Sequence, residues 1–141
     1  RYILQNKAKD LVLLRDEMLF LQDYFSLLKI RFEYALQLQT EVDETIWDQY
    51  LIPPISLQVL LENAVKHNEF SDLAPLQIEL VWVNDELQMQ NLLKEKKLRK
   101  PSSRIGLQNL AERYRLSTGK SIHIEKADDT FTVCLPILKI D

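Results

Sequence analysis

From Leu14 to about Leu36, apolar residues recur at steps of three and four: Leu14, Met18, Leu21, Phe25, Leu28 and Phe32. That spacing marks one face of an α-helix. Leu19, Phe20, Tyr24, Leu27 and Ile30 widen the stripe to most of the circumference, so the helix packs on more than one side. It is either a single buried core helix, or it faces its own domain on one side and a partner helix on the other. Upstream, Tyr2 to Gln5 read as the end of an earlier helix, and Asn6 to Leu13 as a connection.

Beyond Ala35 the period changes to two. Leu36, Leu38, Thr40 and Val42 alternate with Gln37, Gln39, Glu41 and Asp43, which predicts a half-buried strand. Pro53-Pro54 stops whatever precedes it. Ser56 is then the expected N-cap of a helix running to about Asn68, and Phe70 to Pro75 form a loop. Leu76–Val83 and Leu87–Asn91 alternate around Asn84-Asp85, a turn signal, and read as a hairpin. Lys94 to Ser103 (KEKKLRKPSS) is a polar, basic loop. Gly106 to about Leu116 is helical and ends at Thr118-Gly119-Lys120. Ser121–Glu125 and Thr130–Leu138 flank Asp128-Asp129 as a second hairpin. Helix, strand, helix, two strands, helix and two strands predict an α+β two-layer sandwich, with helices gathered on one face of a mixed sheet.

The helix before Phe70 has an unusual polar set. Within LLENAVKHNE it carries Glu62, Asn63, Lys66, His67 and Asn68, although Asn and His are mediocre helix formers. The three- and four-residue spacings group these residues on one expected polar face. A solvated face with a Glu62–Lys66 pair accounts for the pattern. So does a site in which an Asn oxygen meets magnesium and a Lys ammonium meets phosphate. Further on, SSRIGLQN runs through Gly106 into a helix, and amides at a helix N-terminus attract phosphate.

Composition narrows the choices. The 141 residues make one domain, or one domain with an appendage. A net charge of −3 gives no support for direct nucleic-acid binding. Cys134 is the only cysteine, and its run FTVCLPIL predicts a buried, inert thiol. His67, His123 and Cys134 are not spaced as zinc ligands. A Ser-His-Asp or Cys-His site stays open, although nothing brings such partners together. There is no Walker loop and no GxGxxG. No run approaches the ~20 apolar residues of a membrane span. Arg1 opens the chain with the helical pattern already under way, as expected of a piece of a longer protein.

Taken in order, the motifs resemble a known family. IPPISLQVLLENAVKHN resembles the N box of LytS/YehU-type sensor histidine kinases, and SSRIGLQNLAERY resembles their second glycine box with its helix. DEMLFLQDYFSLLKIRFEYAL resembles the helix between their phosphoacceptor segment and their ATP-binding domain, and TFTVCLPIL the closing strand. The resemblance implies the ATP-binding (GHKL, or Bergerat) fold in residues 36–141, with residues 1–35 ending a dimerisation and phosphoacceptor region. It implies a protein-histidine kinase using ATP and magnesium. Asn63 matches the magnesium ligand, and Glu62 with Lys66 the catalytic positions. Lys66, His67, Asn91, Ser103, Arg104, Gly106, Leu107 and Asn109 match nucleotide-contacting positions.

The resemblance further implies a homodimer formed through the helical region and a response regulator as partner, often of LytTR type. It places this portion on the cytoplasmic side of an inner-membrane protein. The acceptor histidine belongs to a motif upstream of Arg1, so these residues alone do not autophosphorylate. Two features depart from the family. Asn91 stands where an Asp normally reads the adenine amino group, and Arg104-Ile105-Gly106-Leu107 replaces Gly-Ile-Gly-Leu. The alternative reading is therefore a degenerate nucleotide-binding or dimerisation module with little kinase activity.

Overall fold

A computed structural model describes residues 11–94 and 105–141. The elements in chain order are β1 (Val12–Leu13), α1 (Leu14–Phe32), β2 (Leu36–Glu41), β3 (Tyr50–Ile52), α2 (Ser56–His67), β4 (Leu76–Val83), β5 (Glu86–Leu92), α3 (Ile105–Thr118), β6 (His123–Ala127), β7 (Thr130–Pro136) and β8 (Leu138–Lys139). The expected helix end at Tyr2–Gln5 and nearly all of the basic loop lie outside the described residues.

Five strands form the main sheet in the order β2-β4-β5-β7-β6. β2 runs parallel to β4 and the other pairings are antiparallel, so the sheet is mixed as expected. The inward positions follow from the alternation. Leu80 lies across from Met89, and Met89 across from Val133. All three are buried, together with Leu57, Leu61, Leu107, Leu110 and Tyr114 from the helices. The outward positions are polar: Gln39 pairs with Glu79, Glu79 with Gln90, and Gln90 with Thr132. One apolar face under helices and one polar face toward water give the two-layer α+β sandwich.

The core runs across residue 36 without a break. Leu14, Met18 and Leu21 of α1 belong to the same buried cluster as the sheet. The sequence pattern missed a second, three-stranded sheet in the order β1-β3-β8. In it Val12 lies opposite Ile52, and Leu51 opposite both Leu13 and Leu138. These strands are two or three residues long, too short to show a period. They bring both ends of the described chain together beside the start of α2.

The turns follow their residues. Asn84 and Asp85 both have positive φ, 50° and 61°, which is the hairpin turn that best fits the twist of its strands. Gly119 ends α3 at φ 74°, its N–H bonded to the Arg115 carbonyl at 3.0 Å.

Candidate functional site

Helix α2 begins in an unexpected way. Ser56 is its first helical residue rather than its cap, and the capping position is Ile55 at φ 67°. A β-branched residue in the left-handed region is strained. The free amides of this turn are met from α1: the Glu17 carboxylate accepts from Ile55 N–H at 2.9 Å and from Leu57 N–H at 3.3 Å. Ser56 Oγ donates back to the Pro53 carbonyl instead. Glu17 is 6% exposed, and burial raises its carboxyl above the ordinary range against the pull of those amides. Sequence reasoning passed over Glu17. Its position between Leu14 and Leu21 on the apolar stripe was the available signal.

The polar set on α2 does not form one face. Asn63 and His67, four apart, are buried, whereas Glu62 and Lys66 are exposed. A step of one residue turns a helix by about 100°, which separates the two pairs. Glu62 faces α1: its Oε2 accepts from Tyr24 Oη at 3.0 Å and from Gln58 Nε2 at 3.1 Å. Burial first, and then the Glu62 carboxylate, push the Tyr24 phenol up to about 12. Asn68 is structural: Nδ2 donates to the Ala64 carbonyl and Oδ1 accepts from Lys94 N–H, both bonds 2.8–2.9 Å long. Glu69 N–H donates to the Lys94 carbonyl at 2.8 Å. The C-terminal end of α2 is thereby tied to the chain just past β5.

Asn91 lies three residues before that tie, on the helix-facing side of β5. Its neighbours across the strands are Ile78 and Phe131, and it is 4% exposed. An amide in an apolar row needs a partner; Nδ2 donates to the Leu92 carbonyl at 2.8 Å. The oxygen Oδ1 is left as the atom a ligand can use.

Helix α3 supplies the third side. Gly106 lies against Val59 of α2, where an added Cβ would come 3.7 Å from Val59 Cγ1. Val59 and Asn63 are four residues, about one turn, apart on one face of α2. Gly106 is already helical. The Leu107 side chain is 2% exposed and lies in the core, which leaves only its backbone for a ligand; Asn109 is exposed. Ser103 and Arg104 lie outside the described residues. The start of α3 thus packs on α2 at Val59, one turn before Asn63, and the Asn68–Lys94 bond ties the end of α2 to the chain three residues after Asn91; Lys66 is exposed.

Solved structures share this arrangement of elements. The cytoplasmic segment of histidine kinase QseC matches with a TM-score of 0.61 at 14% identity, over 92% of this chain and 78% of that chain. The nucleotide-free catalytic domain of histidine kinase ThkA matches at 0.55 and 12% identity, over 89% and 93%. The fold is that of histidine kinase catalytic domains. Full-length ShkA in complex with AMPPNP matches at 0.55 and 16% identity, over 92% of this chain and 32% of that one. No protein-family model and no curated protein sequence matches the chain.

Among the described residues, no group of three or more His, Cys, Asp or Glu could hold a metal by itself. Magnesium commonly keeps several waters and binds through one or two protein oxygens plus substrate phosphates, a mode that the single Asn63 oxygen suits. Also among the described residues, no helix is long and apolar enough to cross a membrane.

Proposed function

We propose that this chain is the ATP-binding, catalytic portion of a LytS/YehU-type sensor histidine kinase. The reading is supported by a histidine kinase catalytic fold in which Gly106 of α3 lies against Val59, one turn before Asn63 on α2, and Asn91 is buried on the helix-facing side of β5. Asn63 holds magnesium through its side-chain oxygen. Lys66 and His67 approach the phosphates, Lys66 as a point charge. Asn91 Oδ1 accepts from the adenine amino group. Backbone amides at Gly106 and Leu107, with Ser103, Arg104 and Asn109, border the triphosphate. Bound with ATP, magnesium neutralises charge on the β and γ phosphates.

Transfer rests on positioning and charge neutralisation. The acceptor is a histidine outside these 141 residues, and its imidazole nitrogen bonds to the γ-phosphorus. The bond from that phosphorus to the β–γ bridging oxygen breaks and ADP leaves. The imidazole N–H proton passes to Glu62. The phosphoryl group then moves to an aspartate of a response regulator, of LytTR type in this reading. The parent protein is a membrane-tethered homodimer with this portion in the cytoplasm. An exposed stripe on α1 (Phe20, Leu27 and Ile30), continued by Tyr34 just past its end, supports a helical contact between copies.

A second reading has one observation in its favour. Asn91 is neutral and commits its Nδ2 to Leu92, so it is a weaker adenine acceptor than a carboxylate. In that reading the pocket is degenerate and the chain serves dimerisation or signal relay. Calorimetric titration with ATP in excess magnesium separates the two. The kinase reading expects saturable binding at micromolar to submillimolar ATP, and absence of binding up to millimolar ATP supports the degenerate module.

A further inference from the structure

Two donors converge on a single oxygen of Glu62, and one of them comes from another helix. Tyr24 Oη reaches Glu62 Oε2 at 3.0 Å across the α1–α2 boundary, and Gln58 Nε2 reaches the same atom at 3.1 Å from one turn earlier on α2. The partly buried Tyr24 ring packs against the core, which restricts where its hydroxyl can go. A carboxylate on an exposed helix face ordinarily samples several rotamers. Here one oxygen is fixed and the other, Oε1, is left for a further partner. Hydrogen bonds to an ionised carboxylate are among the stronger ones. The arrangement exceeds what a solvated glutamate needs.

We propose that Tyr24 is a positioning residue for Glu62: its hydroxyl, with the Gln58 amide, anchors Oε2 and so aims Oε1 at the N–H of the incoming acceptor imidazole. This rests on the reading of Glu62 as the group that receives the acceptor's proton. It also makes α1 part of the site, because a shift of α1 against α2 withdraws the Tyr24 donor. Tyr24 touches neither nucleotide nor acceptor and acts only through Glu62.

The test is a double-mutant cycle on phosphoryl transfer in the longer protein that joins these residues to the acceptor segment. Tyr24→Phe keeps the ring and removes the donor. It is expected to lower kcat about ten-fold with the KM for ATP within about two-fold, since a misplaced group costs rate rather than ground-state binding. In a Glu62→Gln background the same change is expected to have no further effect. An unchanged kcat in Tyr24→Phe, or an equal loss in both backgrounds, overturns the positioning role. Full activity in Glu62→Gln overturns the Glu62 reading itself, while ATP binding tests the rest of the proposed function separately. If Tyr24→Phe is too unstable to assay, Gln58→Leu removes the other donor and takes its place in the cycle. A measurement independent of activity is the Tyr24 phenol titration by carbon NMR. It is expected near 12 in this chain and lower in Glu62→Gln; the same midpoint in both excludes the bond in solution.

Discussion

The carboxylate of Glu17 on α1 accepts the backbone N–H of Ile55 at 2.9 Å and caps the helix that carries Asn63. A side chain borrowed from a neighbouring helix thus does what a Ser or Asp cap does elsewhere, and it steadies a strained left-handed residue. Glu17→Ala leaves these amides unmet in a buried turn and is expected to cost about 2 kcal/mol. Glu17→Gln keeps an acceptor and is expected to cost about half of that. Urea unfolding of the three proteins checks the order.

The same carboxyl gives a pH signature. Desolvation raises it above its ordinary 4.5 in the folded chain, while the Ile55, Leu57 and Ser56 amides and the Arg113 charge pull it down less strongly. Between 4.5 and the raised value, the folded state keeps a proton that the unfolded chain has released. By linkage, the Glu17 contribution to stability falls as pH rises through that window. Glu17→Gln lacks this term. Comparing the two proteins in urea at pH 7.5 and at pH 4.5 should shift the stability gap toward the natural protein at the lower pH; a gap independent of pH excludes the raised carboxyl.

Gly106 can be tested for what its lack of a side chain serves. A methyl there meets Val59 at an ordinary 3.7 Å, and helical Gly is worse than Ala by up to about 1 kcal/mol. Gly106→Ala should therefore raise the melting temperature by about 2–5 °C. Calorimetry should at the same time show weaker magnesium-ATP binding, since a phosphate close to this backbone leaves no room for the methyl. Higher stability with unchanged affinity removes Gly106 from the phosphate site and leaves the fold account intact.

Cys134 lies on β7, 5% exposed, and burial pushes its thiol up to about 11. Only about one thiol in a thousand is then ionised at pH 8. The folded chain should resist iodoacetamide at pH 8 over an hour, and urea-unfolded chain should react within minutes. Mass spectrometry of the two samples reads the result directly.

Phe20, Leu27 and Ile30 leave an apolar stripe on the outer side of α1, continued by Tyr34 just past its end, with Ile30 76% exposed. If copies meet there, sedimentation should show concentration-dependent association, and Leu27→Glu with Ile30→Glu should abolish it without lowering stability. A monomer at all concentrations assigns the stripe to another partner.

Much of the fold was legible because its elements are long and periodic. The inward row of β4 and the stripe of α1 announce themselves at periods of 2 and 3.6. β4 spans the predicted Leu76–Val83, and β5 and α3 extend the predicted spans by one or two residues. The small sheet was invisible because β1 and β8 have two residues each. The helix after Pro53-Pro54 was found, but its cap was assigned to Ser56 because local sequence cannot show that a carboxylate arrives from residue 17. The polar face of α2 was grouped by spacing, whereas the fold divides it: Asn63 and His67 are buried, while Glu62 and Lys66 are exposed and Tyr24 bonds Glu62. Leu107 was singled out for its place in a motif; its side chain is core.

The central claim is that the Asn63 face of α2 binds ATP with magnesium. It is tested most directly by calorimetric titration of magnesium-ATP into this chain and into Asn63→Ala, with circular dichroism confirming that both are folded. The account predicts saturable, magnesium-dependent binding to the natural chain and at least about 30-fold weaker binding to Asn63→Ala, the loss of a metal-bound oxygen costing roughly 2 kcal/mol or more. Equal affinity in the two proteins, or no binding to either up to millimolar ATP, would contradict it.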